Sequence, residues 1–371
     1  MYSAVLQLNQ VQAAPNASAK HGSYEAADLS VAKDALAEGQ ELQDLLHWAI
    51  THSDAEALRQ SAEKGESLEE ALARRHNVQQ LIDHLKQEPT EVELLKAAIA
   101  ELRNQTATPE DTTAALEAVQ LLVEPIDLAN DLSKLGGLEP LLHLLGSEQP
   151  PAVQASAAHA LGTAAANNNA LQALLLTEHP DVFKRLVSVV GSRDPAAATK
   201  ALYCAAGLAR NSREGAQALL DAGGLDTAVS LLSETPEGAP RPAALRRKAL
   251  SLLADLALVN PQGVGAKLES SVGASAVTAA LREQLAVAAN EKDWDTAERA
   301  LLALKALTAV PAVAKQLHGQ HPESELDALA SALRGNAGLN DEYRQELLTL
   351  VAAARDALAL CRTAASERTE L

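Results

Sequence analysis

Few side chains in this sequence stand at spacings that support catalysis or metal binding. His47 and His52 are five residues apart, so on a helix they would lie on different faces. His76 and His84 have no third ligand of suitable type at a helical spacing. We therefore expect these histidines to be surface or partly buried residues, and we expect no bound metal.

Nucleophile and phosphate-binding patterns are also missing. Cys204 and Cys361 are too far apart in sequence to form a CxxC pair, and a buried thiol is expected at each. The segment 263–267 (GVGAK) has neither the spacing of a phosphate-binding GxxxxGK motif nor a preceding strand, so a loop is predicted there. No GxSxG, HExxH or Cys/His nucleophile pattern occurs. We expect no catalytic residues and no cofactor, and so not an enzyme.

Composition limits both the fold and the partners. With 1 Phe, 2 Trp and 4 Tyr among 371 residues, the core must be built from Leu, Val and Ala, which favours an all-α protein. The 49 acidic against 31 basic side chains give a net charge of -18, which repels nucleic acid. No apolar run approaches the roughly 20 residues that span a bilayer, so no membrane span is expected.

Three segments repeat one helical pattern. Starting at Leu138, Phe183 and Leu225, each places apolar or small residues at offsets 3, 4, 6 and 7, which form one face of a short helix. A proline then opens a longer helix in each segment, since proline suits the first turn, where its missing N–H would have no partner. The longer helices are predicted at about 151–166, 195–210 and 242–259, with prolines and closing asparagines at Pro151, Pro195, Pro242, Asn167, Asn211 and Asn260.

A third short helix completes each unit, and glycine corners such as Gly136-Gly137 and Gly223-Gly224 precede the next unit. Three-helix units that recur every 42 to 45 residues are typical of the armadillo or HEAT class, whose units bury their apolar faces by stacking. We predict an all-α fold, a right-handed α-solenoid of armadillo-like three-helix repeats.

Degenerate units are expected to cap this stack. One covers 91–135, and the other covers 277–317 with its long helix at 294–308. The predicted organisation is a mobile N-terminal segment, a helical region with helices at 42–51 and 67–86, the repeat core, and a capping helix at 342–362 with a tail. The corresponding boundaries are 1–40, 41–90, 91–320 and 321–371.

The longest helices of a solenoid line its concave surface. Counting back in steps of four from each helix end gives a predicted exposed stripe that mixes cations and one aromatic residue on an otherwise acidic protein. A local basic strip of this kind indicates an acidic protein partner, although a solvated helix face has the same composition. The stripe contains Ala155, His159, Thr163, Thr199, Lys200, Tyr203, Gly207, Arg247, Lys248, Ser251, Asp255 and Lys305.

The ordered motifs resemble a known family. Residues 45–54 (LLHWAITHSD) are similar to the LLxWxIxHSD signature of the armadillo-type nucleotide exchange factors of seventy-kilodalton heat-shock chaperones, the Fes/Sil-like group. Residues 122–138 resemble the entry to the armadillo core of that family, and 200–203 and 245–249 resemble its repeat helices. The resemblance covers roughly residues 42–360.

The resemblance implies a function. The concave face of the repeats would bind the outer lobe of the chaperone's nucleotide-binding domain and tilt it, so that the cleft opens and ADP leaves. The candidate partner-binding residues are therefore those of the stripe, although His159 and Thr163 stand where relatives carry Trp and Lys, which puts the contacts there in doubt. These candidates are His159, Thr163, Lys200, Tyr203, Arg247, Lys248, Asp255 and Lys305.

A generic armadillo-repeat adaptor that binds an extended peptide is the competing interpretation. Such adaptors use repeated Trp and Asn on the long helices, whereas this stripe has no Trp and carries Thr163, Gly207 and Asp255 near the expected Asn positions. The exchange factor is favoured. We expect a monomer, no nucleic acid partner and no membrane span.

The ends of the sequence bear on the compartment. Residues 2–8 form a short apolar stretch without a preceding basic region, and 11–13 fit a small-residue cleavage site, as at the end of a signal peptide. Residues 368–371 (RTEL) resemble a KDEL-type retrieval signal, and Asn16 and Asn104 stand in glycosylation tripeptides. We expect the endoplasmic reticulum lumen, with the cytoplasm as the alternative.

Overall fold

All regular structure in the computed structural model is α-helical within the residues that it describes, which are 75–76, 89–210, 212–234, 239, 241–270, 273–320, 322–336 and 338–367. The all-α prediction is confirmed. The helices are α1 (Glu91–Leu102), α2 (Pro109–Leu122), α3 (Ile126–Lys134), α4 (Leu138–His143), α5 (Pro151–Ala165), α6 (Asn169–Glu178), α7 (Val182–Val190), α8 (Pro195–Ala209), α9 (Arg213–Asp221), α10 (Gly224–Ser230), α11 (Ala243–Val259), α12 (Pro261–Ser270), α13 (Gly273–Glu291), α14 (Trp294–Leu307), α15 (Pro311–Gln320), α16 (Glu323–Gly335) and α17 (Asp341–Glu367).

The predicted helix starts follow local chemistry. Pro151 and Pro195 occupy the first turns of α5 and α8, as expected. The Asp194 side chain also caps α8, because its Oδ1 accepts a hydrogen bond of 2.8 Å from the backbone N–H of Ala197. α11 begins one residue later than predicted, with Pro242 as its N-cap.

Sharp corners between the helices use left-handed backbone where the glycine pattern predicts it. Gly136 has φ 70° just before α4, and Gly223 has φ 89° just before α10. Asn167, which ends the first long helix, has φ 56°, a conformation that asparagine tolerates better than most residues.

Residues 95–371 form one compact unit in which three-helix repeats stack. The long helices α5, α8, α11 and α14 pack side by side, α2 adds to one end of this row and α17 to the other. Ala and Leu fill the contacts, with Ala158, Leu161, Ala201, Leu208 and Leu253 all buried. Each buried Leu stabilises the stack by about 1.5–3 kcal/mol relative to exposure, so the fold depends on neighbouring repeats rather than on single helices.

α5 and α8 approach each other closely within this row. A Cβ added at Gly162 would lie 2.8 Å from Cε1 of Tyr203 and 3.0 Å from Cα of Cys204, closer than such atoms normally come. Cys204 itself is fully buried, as predicted, and burial raises the pKa of its thiol.

Two parts of the fold differ from the sequence-based expectations. The loop prediction for 263–267 is wrong, because these residues lie in α12. The Asn260 side chain caps that helix by accepting from the N–H of Gly263 at 3.1 Å, and Val264 and Leu268, four residues apart, are buried. α16 was not predicted as a separate helix, whereas the predicted final helix at 342–362 is confirmed within α17.

Several predictions concern residues outside the described ranges. These include the segment 1–40, the predicted helix 42–51, the LLxWxIxHSD match at 45–54 and the terminal 368–371. The predicted domain boundaries stay predictions. Of the described residues, no single helix is both long enough and apolar enough to span a membrane. Among them, only the pair 294–307 and 311–317 reaches that length and apolar character when its two members are taken together, and the pair is bent by 114°.

Candidate partner-binding groove

The long helices enclose a groove of about 730 Å³ along one side of the repeat stack. Side chains from four repeats line it, so no single repeat builds it alone. Of the predicted stripe, Tyr203, Gly207, Arg247, Lys248 and Ser251 all lie there. The lining residues are Gly162, Ala166, Asn167, Gln172, Tyr203, Ala206, Gly207, Arg210, Ala244, Arg247, Lys248, Ser251, Asp295, Glu298 and Arg299.

Tyr203 and Lys248 line one end of the groove, and Lys200 lies beside them outside the lining; we call these three residues the basic end. The Lys248 ammonium lies 5.2 Å from the centroid of the Tyr203 ring, within the range of a cation–π contact. Nζ of Lys200 lies 3.1 Å from Nε2 of His159, whose ring meets Tyr203 edge-on at 5.9 Å. Across the described residues, no carboxylate oxygen comes within 4.0 Å of either ammonium.

Burial and neighbouring charges affect the protonation of Lys248 and of His159. Burial lowers the pKa of Lys248, and the nearby charges of Arg210, Lys200 and Arg299 lower it further. Burial also lowers the pKa of His159, as does Lys200, while Glu124 opposes them. A neutral His159 can accept a hydrogen bond from the Lys200 ammonium, so the two residues fit together without repulsion.

The other end, which we call the paired end, carries cations that are already neutralised. Arg247 on α11 reaches Asp293 at 3.2 Å and Asp295 at 3.4 Å, at the start of α14. Asp293 also caps α14, since its Oδ1 accepts from the N–H of Thr296 at 3.1 Å. Burial acts against ionisation of Asp293, but the Thr296 hydrogen bonds and the Arg247 charge together lower its pKa.

Two further contacts join neighbouring repeats beside the groove. Arg210, at the end of α8, pairs with Asp255 of α11 at 3.1 Å. The hydroxyl of Tyr343 on α17 donates to Glu298 on α14 at 3.3 Å, and burial together with nearby carboxylates raises the pKa of Tyr343 to about 12. Asp255 is therefore committed to an internal ion pair.

Some predicted site residues lie away from the groove lining. Thr163 is half-buried on α5, and Lys305 is exposed in the last turn of α14. The predicted site residues that are not among the lining residues are His159, Thr163, Lys200, Asp255 and Lys305. Sequence reasoning missed Arg210 and Arg299. Arg210 follows α8 as its C-cap, beyond the helix from which the stripe was counted, and Arg299 lies more than a turn before Lys305, the position chosen on α14.

Two protein families match most of this sequence. Residues 42–132 match the family described as nucleotide exchange factor Fes1, and residues 128–354 match the SIL1/FES1/HPBP1 C-terminal domain. The chain belongs to this family. The SIL1/FES1/HPBP1 match covers the groove and all the contacts described above, and the resemblance seen in the sequence is confirmed.

Curated relatives from the SIL1/FES1/HPBP1 family carry the same description. The Hsp70 nucleotide exchange factor FES1 of Eremothecium gossypii is 25% identical over 251 residues, which cover 67% of this chain and 81% of the relative. The protein of that name from Saccharomyces cerevisiae is 26% identical over 216 residues, covering 57% and 69%.

Solved structures show the fold. An engineered protein superposes with a TM-score of 0.56 at 18% identity, covering 72% of this chain and 97% of its own. A designed armadillo repeat protein in complex with a (KR)4 peptide gives the same TM-score and identity and covers 71% and 99%. The α-solenoid of armadillo-like repeats is therefore confirmed, and this SIL1/FES1/HPBP1 family member presents its groove on that scaffold.

Proposed function

We propose that this chain is an exchange factor that binds the nucleotide-binding domain of an Hsp70 chaperone, opens its lobes and promotes the release of ADP. Membership of the SIL1/FES1/HPBP1 family carries the proposal. The groove supports it, because a lining drawn from several successive repeats offers a long surface to a folded domain.

The proposed step needs no catalytic residue and no cofactor from this chain. A factor that binds the open lobes better than the closed ones lowers the affinity of the chaperone for ADP. ADP lowers the affinity for the factor by the same ratio, since the coupling free energy is shared. A 100-fold effect corresponds to about 2.7 kcal/mol of differential affinity. An interface of standard size, on the order of 1,600 Å², can supply that amount. Rebinding of ATP would reclose the lobes and release the factor.

An adaptor for an extended peptide is the second candidate. Of the described residues, Asn167 and Gln172 line the groove but no Trp does. The Gln172 amide is already committed, since it donates to the carbonyls of Ala165 at 2.8 Å and Gly207 at 3.1 Å. This arrangement offers few free amides for the backbone of a peptide, so the exchange factor is the better supported function.

Release of a labelled nucleotide tests the proposal. The nucleotide-binding domain of an Hsp70 is loaded with fluorescent ADP, and stopped-flow release is followed at increasing concentrations of the full chain with excess unlabelled ATP. We expect the release rate to rise with the concentration of the chain and then to saturate. A rate that stays unchanged at saturating chain would reject the exchange function and leave the adaptor as the alternative.

The compartment stays a prediction. Apart from the tripeptide at Asn104, the features that favour the endoplasmic reticulum lumen over the cytoplasm lie outside the described residues. Cell fractionation with an antibody against the untagged chain tests it directly: we expect protection from added protease until detergent opens the membrane. Degradation without detergent would place the chain in the cytoplasm.

A further inference from the structure

The groove reverses the charge of the rest of the molecule. The whole chain carries a net charge of -18, yet among the described residues the groove lining contains the four cations Arg210, Arg247, Lys248 and Arg299 against the two carboxylates Asp295 and Glu298. An acidic protein that keeps a local excess of cations in its concavity attracts a negatively charged surface there and repels it elsewhere.

The cations of the groove are not equivalent. Arg247 and Arg210 are held by carboxylates of the neighbouring repeats at 3.1 to 3.4 Å, and Arg299 lies 4.0 Å from Glu298. Lys248 has an aromatic ring as its neighbour, and Lys200 has a histidine. The two lysines of the basic end are therefore the cations whose charge is available to a partner.

The available pair suits carboxylates on the surface of a protein partner. Ammonium groups pair with carboxylates and phosphates alike, and the surface of a folded protein domain offers carboxylates. The arginines nearest the basic end are engaged by internal carboxylates, and the ammonium groups that remain are compact point charges. Tyr203 is half-buried beside the Lys248 ammonium. Its ring adds an aromatic surface that a partner can cover when it excludes water.

We propose that Lys200, Tyr203 and Lys248 form the specificity element of the groove and bind an acidic segment of the Hsp70 nucleotide-binding domain through its carboxylates. This inference rests on the proposed exchange function. Arg247, by contrast, is a positioning residue that holds α11 against the start of α14 and does not contact the partner through its charge.

The test compares two charge-matched double variants of the full chain. K200Q/K248Q removes both available cations, and K184Q/K315Q removes two exposed lysines on the short helices α7 and α15, outside the groove lining. Binding of the Hsp70 nucleotide-binding domain is measured at low and high salt, and hexaglutamate and hexalysine are titrated as competitors. Circular dichroism checks that both variants keep the helix content of the parent.

We expect K200Q/K248Q to weaken binding at low salt about tenfold, mainly through slower association, and to flatten the salt dependence. Hexaglutamate should displace the chaperone domain from the parent and from K184Q/K315Q, and hexalysine should not. If K200Q/K248Q binds and accelerates ADP release as the parent does, the specificity element is wrong while the exchange function stands. If the parent does not bind the chaperone domain at all, the exchange function fails, and hexaglutamate binding that is lost in K200Q/K248Q would still support the acidic-ligand site. The absence of hexaglutamate binding by the parent would reject the site.

Discussion

The basic end and the paired end of the groove place cations at similar positions on neighbouring long helices, yet the two ends differ in what faces those cations. At the paired end, Arg247 meets two carboxylates at the start of α14. At the basic end, Lys200 meets His159 and Lys248 meets Tyr203, with no carboxylate within ion-pair distance among the residues that the structure describes. The same stripe of cations therefore holds repeats together at one end and leaves charge for a partner at the other.

The difference shows how a solenoid can separate stability from binding. The paired end contributes to the contact between α11 and α14, so its loss should mainly change the free energy of unfolding. The basic end is electrostatically unfavourable within the chain itself, because neighbouring cations and burial lower the pKa of Lys248. Its loss should mainly change the affinity for a partner. The following predictions test this separation.

The largest effect is expected from Tyr203→Ala. A half-buried aromatic side chain that lines a groove is a typical anchor, so we expect the affinity for the Hsp70 nucleotide-binding domain to fall by at least about 2 kcal/mol, or roughly 30-fold. Tyr203→Phe keeps the ring beneath Lys248 and should retain most of the affinity. Isothermal titration calorimetry on both variants measures this. Equal affinities for Tyr203→Ala and the parent would move the binding surface away from the basic end.

A pair of glycine variants tests how closely the basic end is packed. Gly162→Ala and Gly207→Ala both gain about 1 kcal/mol of helix propensity. Only the first places a Cβ against the Tyr203 ring and the Cys204 backbone, since a Cβ at Gly207 would have its nearest neighbour, the carbonyl oxygen of Gly162, at 3.8 Å. We expect Gly162→Ala to be less stable than Gly207→Ala by about 1–3 kcal/mol in urea unfolding. Indistinguishable midpoints would show that α5 and α8 are not in close contact there.

Asp293 has two roles at the paired end, as the cap of α14 and as the ion-pair partner of Arg247, and two variants separate them. Asp293→Ala removes both the helix cap and the partner of Arg247, and we expect it to destabilise the fold by about 1 kcal/mol. Asp293→Asn keeps a good cap and loses only the charge, so its cost should be smaller.

The acid side of the stability profile distinguishes the same two roles. The pKa of Asp293 is lowered in the fold, so its contribution is present above the ordinary value of 3.8 and is lost as the pH falls through the folded value. We expect the parent to lose more stability than Asp293→Asn below pH 3.8. Both variants should bind the chaperone domain like the parent at neutral pH, and weaker binding by both would show that the paired end contacts the partner.

His159 should give the smallest effect. Burial and Lys200 lower its pKa below 6.5, so the fold favours the neutral ring. The stability that depends on this neutral form is present above pH 6.5 and is lost as the pH falls through the folded value. We expect the parent to lose slightly more stability than His159→Gln between pH 7 and pH 5, measured by chemical unfolding at each pH. Parallel stability profiles for the parent and His159→Gln would show that the fold does not depend on a neutral His159 beside Lys200.

Much of the scaffold could be predicted because local signals agreed with the repeat. The prolines at 151 and 195, the glycines at 136 and 223 and the Ala/Leu-rich helices all act through local backbone chemistry or helical periodicity. The loop prediction for 263–267 was wrong because it rested only on the absence of a phosphate-binding motif and a preceding strand, whereas the Asn260 cap and the burial of Val264 and Leu268 in the stack stabilise a helix. Tertiary packing outweighed propensity there.

The groove could be located from the sequence but its charge pairing could not. Counting along each helix found Tyr203, Arg247 and Lys248, since one helix determines which of its faces is exposed. Whether a cation is neutralised depends on the helix beside it, and these contacts join residues 41 to 48 positions apart. Arg247 and Lys248 were therefore both predicted to bind the partner, although of these two residues only Lys248 keeps an available charge.

The most direct test of the central claim measures the affinity of the full chain for an Hsp70 nucleotide-binding domain with and without saturating ADP. If exchange works by differential binding to the open lobes, ADP must weaken the chain by the same factor by which the chain weakens ADP. We expect affinities that differ by about 10-fold or more, matching within error the change in ADP affinity measured separately. Equal affinities in the two conditions would contradict the account, because a factor indifferent to ADP cannot displace it by binding.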